Sequence, residues 1–192
     1  RDDVESRGLG DVYKRQLPFT DVSTSDWFYD DVAFVYENGL FSGTDSRSFS
    51  PNASMTRAML VTVLYRLEGE PTVTGRSSFT DVRSGAYYEK AVIWAAANGI
   101  VTGTDSTSFS PDAKVTREQL AAMLYRLSGS PETDYSLEGY SDAGEVSTWA
   151  AKAMAWAVEN GIIEGAAQDL LSPGSSALRA QTAAMLQRYL EL

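Results

Sequence analysis

A threefold internal repeat organises this 192-residue chain. Phe19-Thr20-Asp21-Val22 returns as Phe79-Thr80-Asp81-Val82 and, more loosely, as Tyr140-Ser141-Asp142-Ala143. Asn38-Gly39-Leu40 returns as Asn98-Gly99-Ile100 and Asn160-Gly161-Ile162, and Ser50-Pro51 as Ser110-Pro111 and Ser172-Pro173. From Gly39 to Arg57, Gly99 to Arg117 and Gly161 to Arg179 the step is always 18 residues, a register that chance does not hold. Short elements repeated at a period of about 60 cannot bury their apolar faces alone, so the three units must pack against each other.

Each unit reads as helix, loop, helix, which gives an all-α fold class. In the second copy Tyr88, Ala91, Val92, Ala95 and Ala96 form one stripe at three- and four-residue steps. Asn98-Gly99 ends that helix, because glycine readily takes the left-handed cap conformation. A turn-rich loop runs from Gly103 to Pro111, and Thr116-Arg117-Glu118-Gln119 then reads as a capping box opening a second helix with Leu120, Met123, Leu124 and Leu127 inside. The units fall at 19–71, 79–131 and 140–192, joined by linkers at 72–78 and 132–139. Residues 1–18 precede the first unit; 1–16 show no amphipathic period and match nothing downstream, and this leader is expected to be artefactual or disordered.

Composition narrows the chemistry. There is no histidine and no cysteine, which removes disulfides, thiol nucleophiles, Cys/His zinc sites and Ser-His-Asp triads. The net charge of −10 opposes general binding to nucleic acid and to anionic membranes. No run approaches the length of a membrane span, so membrane insertion is not expected. Every acid that could join a catalytic pair recurs as part of the repeat, so neither an enzyme nor a metal or cofactor site is expected. Gly43-Thr44-Asp45-Ser46 and Gly103-Thr104-Asp105-Ser106 lack the acid count of a calcium loop and read as turns.

The ordered series Phe-Thr-Asp-Val, Asn-Gly-Ile, Phe-Ser-Pro and Thr-Arg, repeated over residues 19–192, resembles the S-layer homology domain. The resemblance implies a pseudo-threefold arrangement, with one helix per repeat in a central bundle and the other elements forming three prongs. It also implies a secreted module at the bacterial cell wall or cell surface, monomeric as an isolated domain, that binds a secondary cell-wall polysaccharide, often one carrying pyruvyl ketals. An upstream cargo domain would be tethered by it, with the signal peptide absent from this fragment. A protein-interaction or self-assembly module of a surface layer is the alternative.

Half of the twelve Lys/Arg beyond residue 16 fall in two repeat-locked columns: Arg57, Arg117 and Arg179, and Arg66, Arg126 and Arg188. The first column opens the second helix, where free amides and the helix dipole favour an anion, and an arginine fork suits a carboxylate. The resemblance implies ligand contact for Arg57, Arg117 and Arg179; an ion pair to Asp21, Asp81 or Asp142 is the competing role. Those aspartates could accept from sugar hydroxyls or serve as local caps. Trp27, Tyr87 and Trp149 offer rings for the C–H face of a sugar, whereas Phe34, Trp94 and Trp156 read as core. The second arginine column reads as complementing the helix dipole.

Two departures stand out. Met59, Gln119 and Gln181 occupy the family's usual glutamate position, so the first copy loses its reciprocal cap. In the third copy Leu178 replaces the capping threonine, and the groove relying on repeat three is expected to bind weakest. Equal losses from Arg57→Ala, Arg117→Ala and Arg179→Ala would contradict this.

Overall fold

The computed structural model describes residues 16–165, 167 and 169–192, so the expectation for residues 1–15 lies outside the described residues. Leu17, just ahead of the first motif, is buried with Phe19. The regular structure is helical: α1 Tyr29–Glu37 and α2 Arg57–Leu67, α3 Glu89–Ala97 and α4 Arg117–Leu127, α5 Ala151–Glu159 and α6 Arg179–Leu190. Two 3₁₀ turns, Ala143–Glu145 and Thr148–Ala150, lead into α5, and no strand forms among the described residues.

The first helix of each unit ends as its sequence indicates. Gly99 lies at φ 68°, its N–H donates to Ala96 O, and Ile100 N–H donates to Ala95 O, the paired bonds of a Schellman cap. Asn38, Asn98 and Asn160 add a side-chain bond to the carbonyl four residues back. The second helices begin differently from one another. Thr116 accepts from Gln119 N–H while Gln119 accepts from Thr116 N–H, a full capping box. Thr56 supplies only its half, to Met59 N–H. Leu178 supplies no side-chain cap, and only Gln181 reaches back to its amide.

Packing joins different repeats. The principal helix pairs are α2 with α3, α4 with α5, and α6 with α1, so the contacts run around the three units and close. At the centre, Met55 N–H donates to Ala177 O, Ala177 N–H to Val115 O, and Val115 N–H to Met55 O, a closed triangle at 2.8–2.9 Å. Around it each second helix passes its first two amides to the next unit: Arg57 and Ala58 to Ala113 and Pro111 carbonyls, Arg117 and Glu118 to Ser175 and Pro173, Arg179 and Ala180 to Ala53 and Pro51. Helix starts that would otherwise carry orphan donors are thus satisfied by a neighbouring repeat. The core follows this ring, with Phe49, Phe109, Leu171, Met55, Leu60, Leu120 and Leu186 inaccessible. Trp94 and Trp156 are buried as expected and pack on Tyr65 and Tyr125, while Phe34 is partly buried.

Candidate functional site

The sequence placed Arg57, Arg117 and Arg179 at open helix starts, ready to share an anion with free amides. The structure corrects that setting: the amides are already bonded to the next repeat, and the arginines are only 6%, 4% and 6% exposed. Each guanidinium reaches into the following unit. Arg57 Nε and Nη2 donate to Phe109 and Thr102 carbonyls, Arg117 to Leu171 and Glu164, and Arg179 to Phe49 and Ser42, all at 2.7–3.0 Å. Arg57 and Arg179 also lie over the Phe109 and Phe49 rings at 4.7 and 4.6 Å. Burial lowers the pKa of all three, opposed by Asp81, Asp142 and Asp21 respectively.

Those aspartates hold the same backbone from the other side. Asp21 accepts the Phe49 and Ser50 amides, Asp81 those of Phe109 and Ser110, and Asp142 those of Leu171 and Ser172, at 2.7–2.8 Å. The serines sit at φ 57°, 57° and 50°, a left-handed conformation that costs a non-glycine residue about 1–3 kcal/mol. Two charge-assisted hydrogen bonds offset that cost. The intervening loops are turns as read: Asp105 accepts the Thr107 and Ser108 amides in its own loop.

Beside each clamped loop lies a groove assembled from all three repeats. In the first, of about 420 Å³, Arg57 from repeat one meets Thr102-Gly103-Thr104, Gln119, Met123 and Arg126 from repeat two and Trp149 from repeat three. In the second, of about 230 Å³, Arg117 meets Glu164, Gly165, Gln181, Met185 and Arg188 from repeat three and Trp27 from repeat one. In the third, of about 470 Å³, Arg179 meets Phe41 to Thr44, Met59, Val63 and Arg66 from repeat one and Tyr87 from repeat two. Trp27, Tyr87 and Trp149 are 66%, 65% and 55% exposed, so their rings are open to a ligand. Asp21 and Asp142 do not line these grooves, and Asp81 borders a separate depression with Arg83 and Tyr88.

Two contributors were not placed here by the sequence. Arg66, Arg126 and Arg188 turn from the ends of the second helices into the grooves; Arg66 and Arg126 donate Nη1 to the Leu40 and Ile100 carbonyls. Their strict repetition was the available signal. The loop glycines Gly43 and Gly103 also line the grooves; a Cβ on Gly103 would meet the Asp105 carbonyl and sit 2.5 Å from that of Ser108. Gly43 is confined alike by Asp45, Phe19 and Ser48.

The repeats are matched as a known family. The S-layer homology domain matches at residues 18–58, 78–121 and 139–183. The chain belongs to the S-layer homology domain family. This S-layer homology chain is 32% identical over 191 residues to the endoglucanase of Bacillus sp. (strain KSM-635), covering 97% of the chain and 20% of that protein. It is 26% identical to the S-layer protein of Bacillus thuringiensis subsp. finitimus, over 88% of the chain and 21% of that protein. To the cellulosome-anchoring protein of Acetivibrio thermocellus it is 28% identical, over 72% of the chain and 32% of that protein. The chain thus spans a fifth or less of the first relatives it matches. Family and relatives together support a cell-surface anchoring module.

Proposed function

We propose that the chain attaches a larger protein to the bacterial cell wall by binding an acidic secondary cell-wall polysaccharide in the three grooves, without chemistry. One observation carries the reading: each groove pairs two arginines with an exposed aromatic ring. The buried arginine has its Nε and Nη2 committed to backbone and keeps its Nη1 side for a ligand; the helix-end arginine adds a second positive charge. The ring covers the apolar face of a sugar whose carboxylate lies between the two guanidiniums. Relatives named as an S-layer protein and a cellulosome-anchoring protein fit attachment at a surface, and an endoglucanase among them fits a module carried by larger enzymes.

The test is a pull-down of the chain on purified cell-wall sacculi before and after hydrofluoric acid strips the secondary polymer. Capture should disappear with the polymer and fall in Arg126→Gln and Trp149→Ala. Undiminished capture on stripped sacculi overturns the reading.

A further inference from the structure

We propose that Glu164 is a built-in carboxylate that occupies the Arg117 groove and discriminates there against acidic sugars; this rests on reading the grooves as glycan sites. The three grooves provide their own controls. Ser42, Thr102 and Glu164 hold equivalent places, because the backbone carbonyl of each accepts Nη2 of the column arginine. Only the third carries an acid on its side chain. Its Oε2 accepts Nη2 of Arg188 at 2.9 Å, inside the groove. Arg66 and Arg126 instead place Nη1 on the neutral carbonyls of Leu40 and Ile100; Arg66 Nε also approaches Glu70 at 3.9 Å, but Glu70 does not line that groove. The groove holding the Glu164–Arg188 pair is also the smallest, about 230 Å³ against about 420 and 470 Å³.

Folding does not account for this pair. The Glu164 side chain is 70% exposed and that of Arg188 32%, and exposed pairs of this kind contribute little to stability. What the pair does is satisfy, intramolecularly, the guanidinium that a ligand carboxylate would seek. Asp31 on α1 lies in the field of Arg188, Glu191 and Glu164, so the incoming anion also meets other negative charge. A sugar without a carboxylate has no such competitor.

The experiment uses the full chain and a monovalent probe, the methyl glycoside of a pyruvyl-ketal hexosamine, in isothermal titration calorimetry. Arg66→Gln and Arg126→Gln together disable the other two grooves, leaving the Arg117 groove to be read alone. Adding Glu164→Gln to that background should tighten the probe about two- to fivefold, the range set by an exposed pair. The same glycoside lacking the ketal should bind equally with and without the Glu164→Gln substitution. Thermal unfolding should be unmoved by Glu164→Gln. An unchanged affinity for the acidic probe, where the wild type binds it through its other grooves, overturns this inference and leaves the anchoring function standing. A clear drop in unfolding temperature also overturns it, by making the pair a structural brace. Absence of binding to any form removes both readings.

Discussion

Arg57 has two attachments that pull apart under mutation. Its Nε and Nη2 satisfy the Phe109 and Thr102 carbonyls, so Arg57→Ala strands one buried and one partly buried acceptor and should cost about 2–4 kcal/mol of stability. Trp149, more than half exposed in the same groove, should cost under about 1 kcal/mol when replaced by alanine yet weaken glycan binding. Chemical denaturation alongside calorimetric titration separates the two; equal stability losses would show that Arg57 is not the clamp described. Asp31 makes a prediction in pH. Its carboxyl is pushed up first by burial and further by Asp30, Glu191 and Glu164, against the pull of Arg188. The folded state therefore favours the protonated acid, a contribution present below the unfolded value near 3.8 and lost as pH rises through the folded value. Asp31→Asn should accordingly be more stable than wild type at pH 7, with the advantage gone at pH 3. A less stable variant at pH 7 would mean that Arg188 outweighs burial.

At the scale of the helix, Leu178 is the weak start. Arg179 and Ala180 amides are satisfied by the Ala53 and Pro51 carbonyls, but no side chain at 178 accepts the Gln181 amide. Leu178→Thr recreates the acceptor that Thr56 and Thr116 provide, at the same extended backbone geometry, and should add about 1 kcal/mol. Differential scanning calorimetry should show a rise of about 2–4 °C; no rise would place the cost of α6 elsewhere. These starts and stops were legible in the sequence because caps are local: Asn98-Gly99 and Thr116-Gln119 meet partners within four residues. The arginines were legible as columns but not in their setting. A spacing within one repeat cannot say that Arg57 reaches into the next, nor that the amides beside it are consumed there. For the same reason Arg126 read as a dipole partner at a helix end, although it faces the groove. The weak third copy also changes address: its loop and the stretch of α6 from Gln181 to Arg188 build the groove of Arg117, whereas the groove of Arg179 takes its loop and second helix from repeat one.

Across the whole molecule, no groove belongs to one repeat. Removing residues 132–192 takes Trp149 from the first groove, Arg179 from the third, and the loop and helix from the second. It also opens the Met55–Ala177–Val115 triangle and exposes the face of α1 that packs on α6. Such a two-repeat chain should bind nothing, rather than two thirds as much, and should lose the single cooperative unfolding step; sacculus capture and a melting curve by circular dichroism measure both. Retention of a cooperative fold with partial binding would show that the repeats behave as an open stack. The closed triangle further sets the order in which the protein can be made. The bond from Arg179 to Ser42 spans 137 residues, and the Met55 amide waits for Ala177 before it has a partner. Contacts this distant in sequence fold late and slowly. A chain emerging from the ribosome therefore stays unfinished until its third unit is delivered, and one cut short remains open to the proteases that clear unfolded protein.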